Sequence, residues 1–207
     1  MTTRAVRRYS SEPVTEDEIL TCLRAAQQAP TGGNVQPQVY VVVTEAEVKA
    51  KVAELYRTAF DRYERSLPDP TFRSPDDEAS WRRTRASSRH LADHLDDAAA
   101  LVAFLLPIIP WTPSDDEGPM DIGPLYASVY PAVQSFMVAA RALGIGTALT
   151  TVIRIHTAAL LEVLGAPDHY EVAALVPMGR PSGHFGVARR KPVEAVTHWE
   201  QFGNRRR

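Results

Sequence analysis

Hydrophobic positions along the chain follow two periods. From Thr15 the period is helical: Ile19, Leu20, Leu23 and Ala26 make one apolar stripe, and Thr15 and Glu18 stand at capping-box spacing. Pro30 stops that helix. Val39–Val43 is an apolar run of the kind carried by a strand buried on both faces. A second helical pattern over about 45–65 puts Val48, Val52, Leu55, Tyr56 and Phe60 on one side, and residues 67–78 form a polar, proline-rich loop. A further helix is expected over about 78–95, then a strand over 99–106. Residues 107–123 read as a long irregular segment, and ordered domains keep such loops mainly where they line a site.

The most apolar helix follows, "YPAVQSFMVAARALGIG". Ala132, Phe136, Ala139, Ala140 and Leu143 share one side, and Val133, Met137 and Val138 carry the apolar surface around it. A helix of this kind is expected to be buried, with a dimer centre as one place for it. Gly144 and Gly146 end it. "TALTTV" reads as a short strand, 156–164 as a helix and 171–177 as a strand, with the remainder a returning loop and tail. Strands and helices alternate without an internal repeat, so the class is α/β or α+β with helices over a central sheet.

The 207 residues, 44% of them hydrophobic, suit one globular domain spanning 1–207. A formal charge of -2 gives no electrostatic footprint for nucleic acid. The basic run Arg82-Arg83-Thr84-Arg85 lies beside Asp76, Asp77 and Glu78 and reads as a solvated helix face. Cys22 is the one cysteine, so no intramolecular disulfide can form, and its place in a helical stripe makes it a buried thiol. With no apolar leader at the N-terminus and no run near the roughly 20 apolar residues of a membrane helix, a cytoplasmic protein without membrane partners is expected.

Candidate chemistry is sparse. There is no P-loop, no dinucleotide fingerprint and no Gly-x-Ser-x-Gly elbow. His90 and His94, one helical turn apart with Asp93 and Asp97 nearby, have metal-compatible spacing but no marked third ligand, and an exposed polar face is the expectation. Basic residues cluster at both ends: Arg4, Arg7 and Arg8, then Arg189, Arg190 and Lys191. Between them lies the loop Pro30-Thr31-Gly32-Gly33-Asn34. Guanidinium forks suit a phosphate, glycines permit close backbone approach, and Thr, Asn and Gln supply donors and acceptors. Together they suggest an anionic ligand with a flat, hydrogen-bonding ring.

The segments "TTRAVRRYSSEPVTEDEIL", "AAQQAPTGGNVQPQVYVVVT", "YPAVQSFMVAARALGIGTALTT" and "YEVAALVPMGRP…ARRKPVEAVTHW" resemble, in order and spacing, the nitroreductase family of FMN-dependent flavoproteins, and "SVYPAVQ…LTT" resembles its actinobacterial branch. The resemblance implies an α+β fold with a central mixed sheet flanked by helices. It also implies an intertwined homodimer with FMN sites at its interface. On the same resemblance Pro30, Thr31, Gly32, Asn34 and Gln36 face the isoalloxazine ring, often from the partner subunit. Arg4, Ala5 and Arg7 match the N-terminal phosphate motif, with Ala5 where relatives carry Ser. Arg189 and Arg190 match the C-terminal basic pair, and Leu149, Thr150 and Thr151 the segment at flavin N5.

The implied activity is ping-pong reduction of nitroaromatics, quinones or related small molecules by NADH or NADPH. No side chain is nominated as catalytic and no metal is expected. Flavin fragmentation, reductive dehalogenation, ene reduction and flavin sequestration remain open on the same fold. Residues 67–123 match no fixed motif and form the variable substrate lid, with Trp111 its candidate substrate contact.

Overall fold

The computed structural model describes residues 2–188 and 190–206. Its frame is a four-stranded sheet in the order β1 (Val39–Val43), β2 (Ala100–Pro107), β6 (Tyr170–Gly179), β5 (Gly146–Thr147), every neighbouring pair antiparallel. The parallel component of the expected mixed sheet is one bridge, Ala5 to Thr147, where the N-terminal segment lies along β5. A register shift at Phe104/Leu105 makes a bulge between β2 and β6.

β2 is buried along its whole apolar length, and its alternation serves two cores. Ala100, Val102, Phe104 and Leu106 point to one face, where α1 (Glu16–Gln27) contributes Ile19, Cys22 and Ala26, and α4 (Tyr130–Ala142) contributes Ala132, Val133, Phe136 and Ala140. Leu101, Ala103 and Leu105 point to the other. There α2 (Ala46–Arg65) brings Val52, Tyr56 and Phe60, α3 (Pro75–Asp93) brings Leu91 and Ala92, and α5 (Thr157–Leu164) brings Leu160 and Leu161. Helices therefore cover both faces of an antiparallel sheet, an α+β arrangement.

The capping box at Thr15 forms in both directions, with Glu18 N–H donating to Thr15 Oγ1 (3.3 Å) and Thr15 N–H to Glu18 Oε2 (2.9 Å). Elsewhere the structure corrects the expectations. α3 starts at Pro75, three residues early: Ser74 accepts the Asp77 N–H at 3.2 Å, and proline at the first helical position costs no hydrogen bond. β1 is an edge strand, not one buried on both faces, with Val39 39% and Val42 37% exposed in the single chain. Of "TALTTV" only Thr147 belongs to a strand, Gly146–Thr147, and a 3-10 turn begins at Val152. The segment 107–123 contains a small hairpin, β3 (Ser114–Asp115) against β4 (Gly118–Pro119), closed by Met120 N–H donating to the Pro113 carbonyl (2.7 Å). α4 buries one side against β2, β6 and α1 but leaves Val138 48% exposed, so the all-round apolar surface is not wholly covered by one chain.

Burial pushes the Cys22 thiol up to about 11, with Glu18 adding to the shift. At pH 8 such a thiol is only about one part in a thousand thiolate, the reactive form. In native protein Cys22 should react with a disulfide reagent at least about 100-fold more slowly than in denatured protein. Comparable rates in the two states would contradict its placement.

Candidate functional site

The site is built where the N-terminal segment docks. Val6 N–H donates to the Thr147 carbonyl (2.8 Å), Ser10 N–H to Arg180 (2.9 Å), and Ser182 N–H to Arg8 (3.1 Å). Tyr9 lies under this seam, its hydroxyl donating to the carbonyls of Val6 (2.8 Å) and Pro177 (3.2 Å); burial raises its pKa far above the usual phenol range. The approach is close enough to need glycine. A Cβ on Gly146 would meet Val6 Cγ1 at 2.6 Å, and one on Gly179 would meet Tyr9 Cδ1 at 2.9 Å. Arg141 of α4 holds both chain ends, donating from Nε to Thr2 Oγ1 (3.0 Å) while its guanidinium stacks 3.6 Å from the Phe185 ring centre.

This docking opens a cleft of about 680 Å³ lined by Arg4, Ala5 and Arg7 from one end, Val187, Ala188 and Arg190 from the other, and Ser80, Arg83, Thr84 and Ser87 of α3. Among the described residues the lining carries four arginines and no carboxylate. Such a surface suits an oxyanion. Arg189 lies outside the described residues. Arg8 turns away to α3, where its Nη1 donates to His90 Nδ1 (3.1 Å).

The third expected segment adjoins this seam: Ala5 pairs with Thr147, and Thr150 Oγ1 shares a hydrogen bond of 3.1 Å with Tyr56, whose hydroxyl feels the Arg7 charge. Thr150 is buried and its N–H is already given to the Leu175 carbonyl (3.0 Å), whereas Leu149 and Thr151 are exposed. The glycine-amide loop is strained. Gly33, Asn34 and Gln36 take φ of 57°, 56° and 47°, a region that costs a non-glycine residue about 1–2 kcal/mol. Gly32 N–H to Ser128 Oγ (3.2 Å) and Gln36 N–H to Thr31 Oγ1 (3.0 Å) hold it. An amide chain holds it too: Gln36 donates to Asn34 Oδ1 (3.2 Å), Gln27 to Gln36 Oε1 (3.2 Å), and Tyr40 (3.0 Å) and Gln38 (3.4 Å) to Gln27 Oε1. Pro30, Thr31, Gly32, Asn34 and Gln36 do not line the arginine cleft of their own chain.

The profile of the Nitroreductase family matches residues 1–180, most of the chain. The chain belongs to the Nitroreductase family. Among curated relatives, the FMN reductase [NAD(P)H] of Bacillus subtilis (strain 168) is 26% identical over 203 residues, covering 97% of this chain and 72% of that protein. Two solved structures share the fold: oxidised iodotyrosine deiodinase bound to FMN and 3-iodo-L-tyrosine, at TM-score 0.73 and 18% identity over 96% of this chain and 95% of that one, and a BluB-like flavoprotein from Clostridium difficile 630, at TM-score 0.70 and 20% identity over 96% and 95%.

Two features of this nitroreductase-family chain depart from the sequence expectation. The basic run on α3 is not one solvated face: Arg82 pairs with Glu78 (2.6 Å), Arg85 with Glu64 (3.1 Å), and Arg83 faces the cleft. Hydroxyls at 80, 84 and 87 around Arg83 were the available signal, because that spacing marks one helix face. The network partners Gln27, Gln38 and Tyr40 were also missed, since amides in a last helical turn carry no motif. Trp111 is 67% exposed and lines a different pocket of about 420 Å³, made within residues 111–123. The structure does not bring it to the arginine cleft. His90 and His94 stack at 4.4 Å, and among the described residues no group of three or more His, Cys, Asp or Glu is placed to hold a metal.

Two substitutions test this construction. Gly146→Ala should lower unfolding free energy by about 1–3 kcal/mol in denaturant titration through overpacking against Val6, while Gly183→Ala, with open space around it, should be near neutral. Gln27→Leu removes the hub of the amide chain. It should cost about 0.5–1.5 kcal/mol by removing the hydrogen bonds of a largely exposed chain, in which only Gln38 is buried, and speed amide hydrogen exchange at residues 33–36. Unchanged exchange there would show that the strained loop stands without Gln27.

Proposed function

We propose that the protein is an FMN-dependent oxidoreductase that draws on NADH or NADPH and works as a homodimer. The observation that carries this reading is the meeting of Arg4, Arg7 and Arg190, from opposite ends of the chain, in one cleft without a carboxylate. A phosphomonoester close to -2 at neutral pH is the natural occupant. The name of the Bacillus subtilis relative, an FMN reductase, supports the same cofactor.

The residues present fit the group. Arg4, Arg7 and Arg190 would hold the phosphate, with Arg189 proposed beside them, and Ala5 contributes only backbone and space. Leu149 and Thr151, with Thr150 fixed between them, would lie at the ring. The loop carrying Pro30, Thr31, Gly32, Asn34 and Gln36 would present its bared backbone and amides to the ring from a second copy. Two observations favour that copy: the loop does not line its own chain's cleft, and α4 leaves Val138 uncovered. When bound, the flavin supplies the redox chemistry, passing reducing equivalents from the nicotinamide to a nitroaromatic, quinone or related acceptor in a ping-pong cycle. The chain's part is to bind, orient and exclude, so no side chain is assigned as general acid. Residues 67–123 are proposed as the variable substrate wall, with Trp111 as an acceptor contact. A cytoplasmic setting belongs to the same reading. Among the described residues no helix is long and apolar enough to cross a membrane.

Reductive dehalogenation is the second reading. The fold shared with a deiodinase that binds FMN and an iodinated tyrosine favours it. Protein purified without added flavin should be yellow and dimeric and should bleach anaerobically with NADH or NADPH. Retained flavin that neither nucleotide bleaches would overturn the oxidoreductase reading and leave flavin sequestration. The phosphate assignment has its own test. Arg7→Ala or Arg190→Ala should weaken FMN by about 10- to 100-fold, the range set by one charge-assisted hydrogen bond, and riboflavin much less. Arg205→Ala is the control. Equal FMN affinity in wild type and the Arg7/Arg190 double variant would remove these residues from the site.

A further inference from the structure

The cleft holds more positive charge than one phosphate uses. Arg4, Arg7 and Arg190 answer to the phosphate. Arg83 comes from α3, which supplies none of the positions that the resemblance assigns to FMN, and among the described residues it adds a fourth guanidinium to a lining without a carboxylate. A phosphomonoester near -2 leaves that cleft with net positive charge.

The other arginines of the same helix stretch have partners. Arg82 binds Glu78 (2.6 Å), Arg85 binds Glu64 (3.1 Å), and Arg89 binds Asp61 (2.8 Å) and Glu64 (2.5 Å). These last pairs lock α3 to α2, and the Glu64 carboxyl is held below its usual range chiefly by its hydrogen bond from Arg89. Arg83 makes no hydrogen bond or ion pair with any described residue. It is therefore a cation presented by a braced helix. Ser80, Thr84 and Ser87 stand with it on one face at i, i+3, i+4 and i+7 spacing. Thr84 Oγ1 donates back to the Ser80 carbonyl (3.0 Å), which leaves the Ser80 and Ser87 hydroxyls free to donate to a ligand. A volume of about 680 Å³ far exceeds a phosphate and lies within the range of small-molecule sites.

We propose that this α3 wall, Arg83 flanked by Ser80, Thr84 and Ser87, binds an oxyanion carried by the exchangeable substrate and so makes the protein selective for anionic substrates. The proposal rests on the flavin reading given above. The shared chemistry is a phosphomonoester or a carboxylate on a molecule that enters and leaves, and two sources are separable: the 2′-phosphate of NADPH, or an acidic group on the acceptor.

The test is calorimetric and needs no turnover. FMN-loaded wild type and Arg83→Gln are titrated with NADP⁺ and NAD⁺, and with 4-nitrobenzoate and 4-nitrobenzyl alcohol. Each pair differs mainly in the anionic group. Arg83→Gln should weaken the member of one pair that carries the additional anionic group by about 5- to 30-fold, with the counterpart lacking that group and FMN itself changing less than about 2-fold. The pair that responds identifies the source. Arg82→Gln, whose partner is Glu78, should change nothing. Two outcomes overturn the proposal: unchanged ratios in both pairs, or a fall in FMN affinity with unchanged ratios, which would make Arg83 one more flavin-phosphate ligand. Wild-type protein that retains no FMN would instead overturn the flavin reading. The same titrations on flavin-free protein would then judge Arg83 alone, by whether preference for the charged members disappears in the variant.

Discussion

The pairing of β2 with β6 is the interaction on which the other parts rest. Both strands are apolar on both faces and neither can be solvated on either side, so helices must cover both. α1 and α4 settle on one face, α2, α3 and α5 on the other. Each fully buried Leu, Val or Phe contributes about 1.5–3 kcal/mol of transfer free energy, which is why Phe104 can serve one core while Leu105, its neighbour, serves the other. The cleft-lining segments contribute little to this burial. They sit at the β5 edge, along the docked N-terminus and on the middle of α3, where the sheet holds them but does not bury them.

That separation explains the chemistry of the cleft. A buried arginine would need a carboxylate beside it to offset lost hydration. Arginines on a rim keep their water and can stay uncommitted until a ligand arrives. The structure uses both strategies on one helix. Arg85 and Arg89 are tied to Glu64 and brace α3, while Arg83 is left without an acid.

How much of this was legible in the chain depended on range. The capping box at Thr15, the helix stop before Pro30 and a strand over 99–106 are local, and the structure forms each of them, the strand as Ala100–Pro107. The start of α3 was also local: Ser74-Pro75-Asp76-Asp77 is a helix N-terminus in cap, proline and acids alike, and proline richness disguised it as loop. The exposed edge of β1 was not legible, because an apolar pentapeptide reads alike at a sheet's centre or edge; only its pairing with β2 alone distinguishes them. The arginines at 4, 7 and 190 were legible through resemblance, although composition offered no reason for them to meet. Arg83 escaped because the outcome turns on which way α3 rotates about its axis, and distant Asp61 and Glu64 set that. Trp111 was singled out as an aromatic in a long loop, and in the single chain its pocket is made by its own loop, apart from the arginine cleft.

On α4 the Arg141 guanidinium holds Thr2 on one side and Phe185 on the other, tying together the two segments whose neighbours line the cleft. The two segments that meet at this seam are separated by most of the sequence, as the Ser182–Arg8 hydrogen bond shows, so closing it carries a high loop-closure cost and is expected to come late in folding. During synthesis the sheet and its helices could assemble before the C-terminal segment has emerged. The arginine cleft is then among the last things the chain makes, and a ligand held there reports that residues as far along as Arg190 have been made and docked.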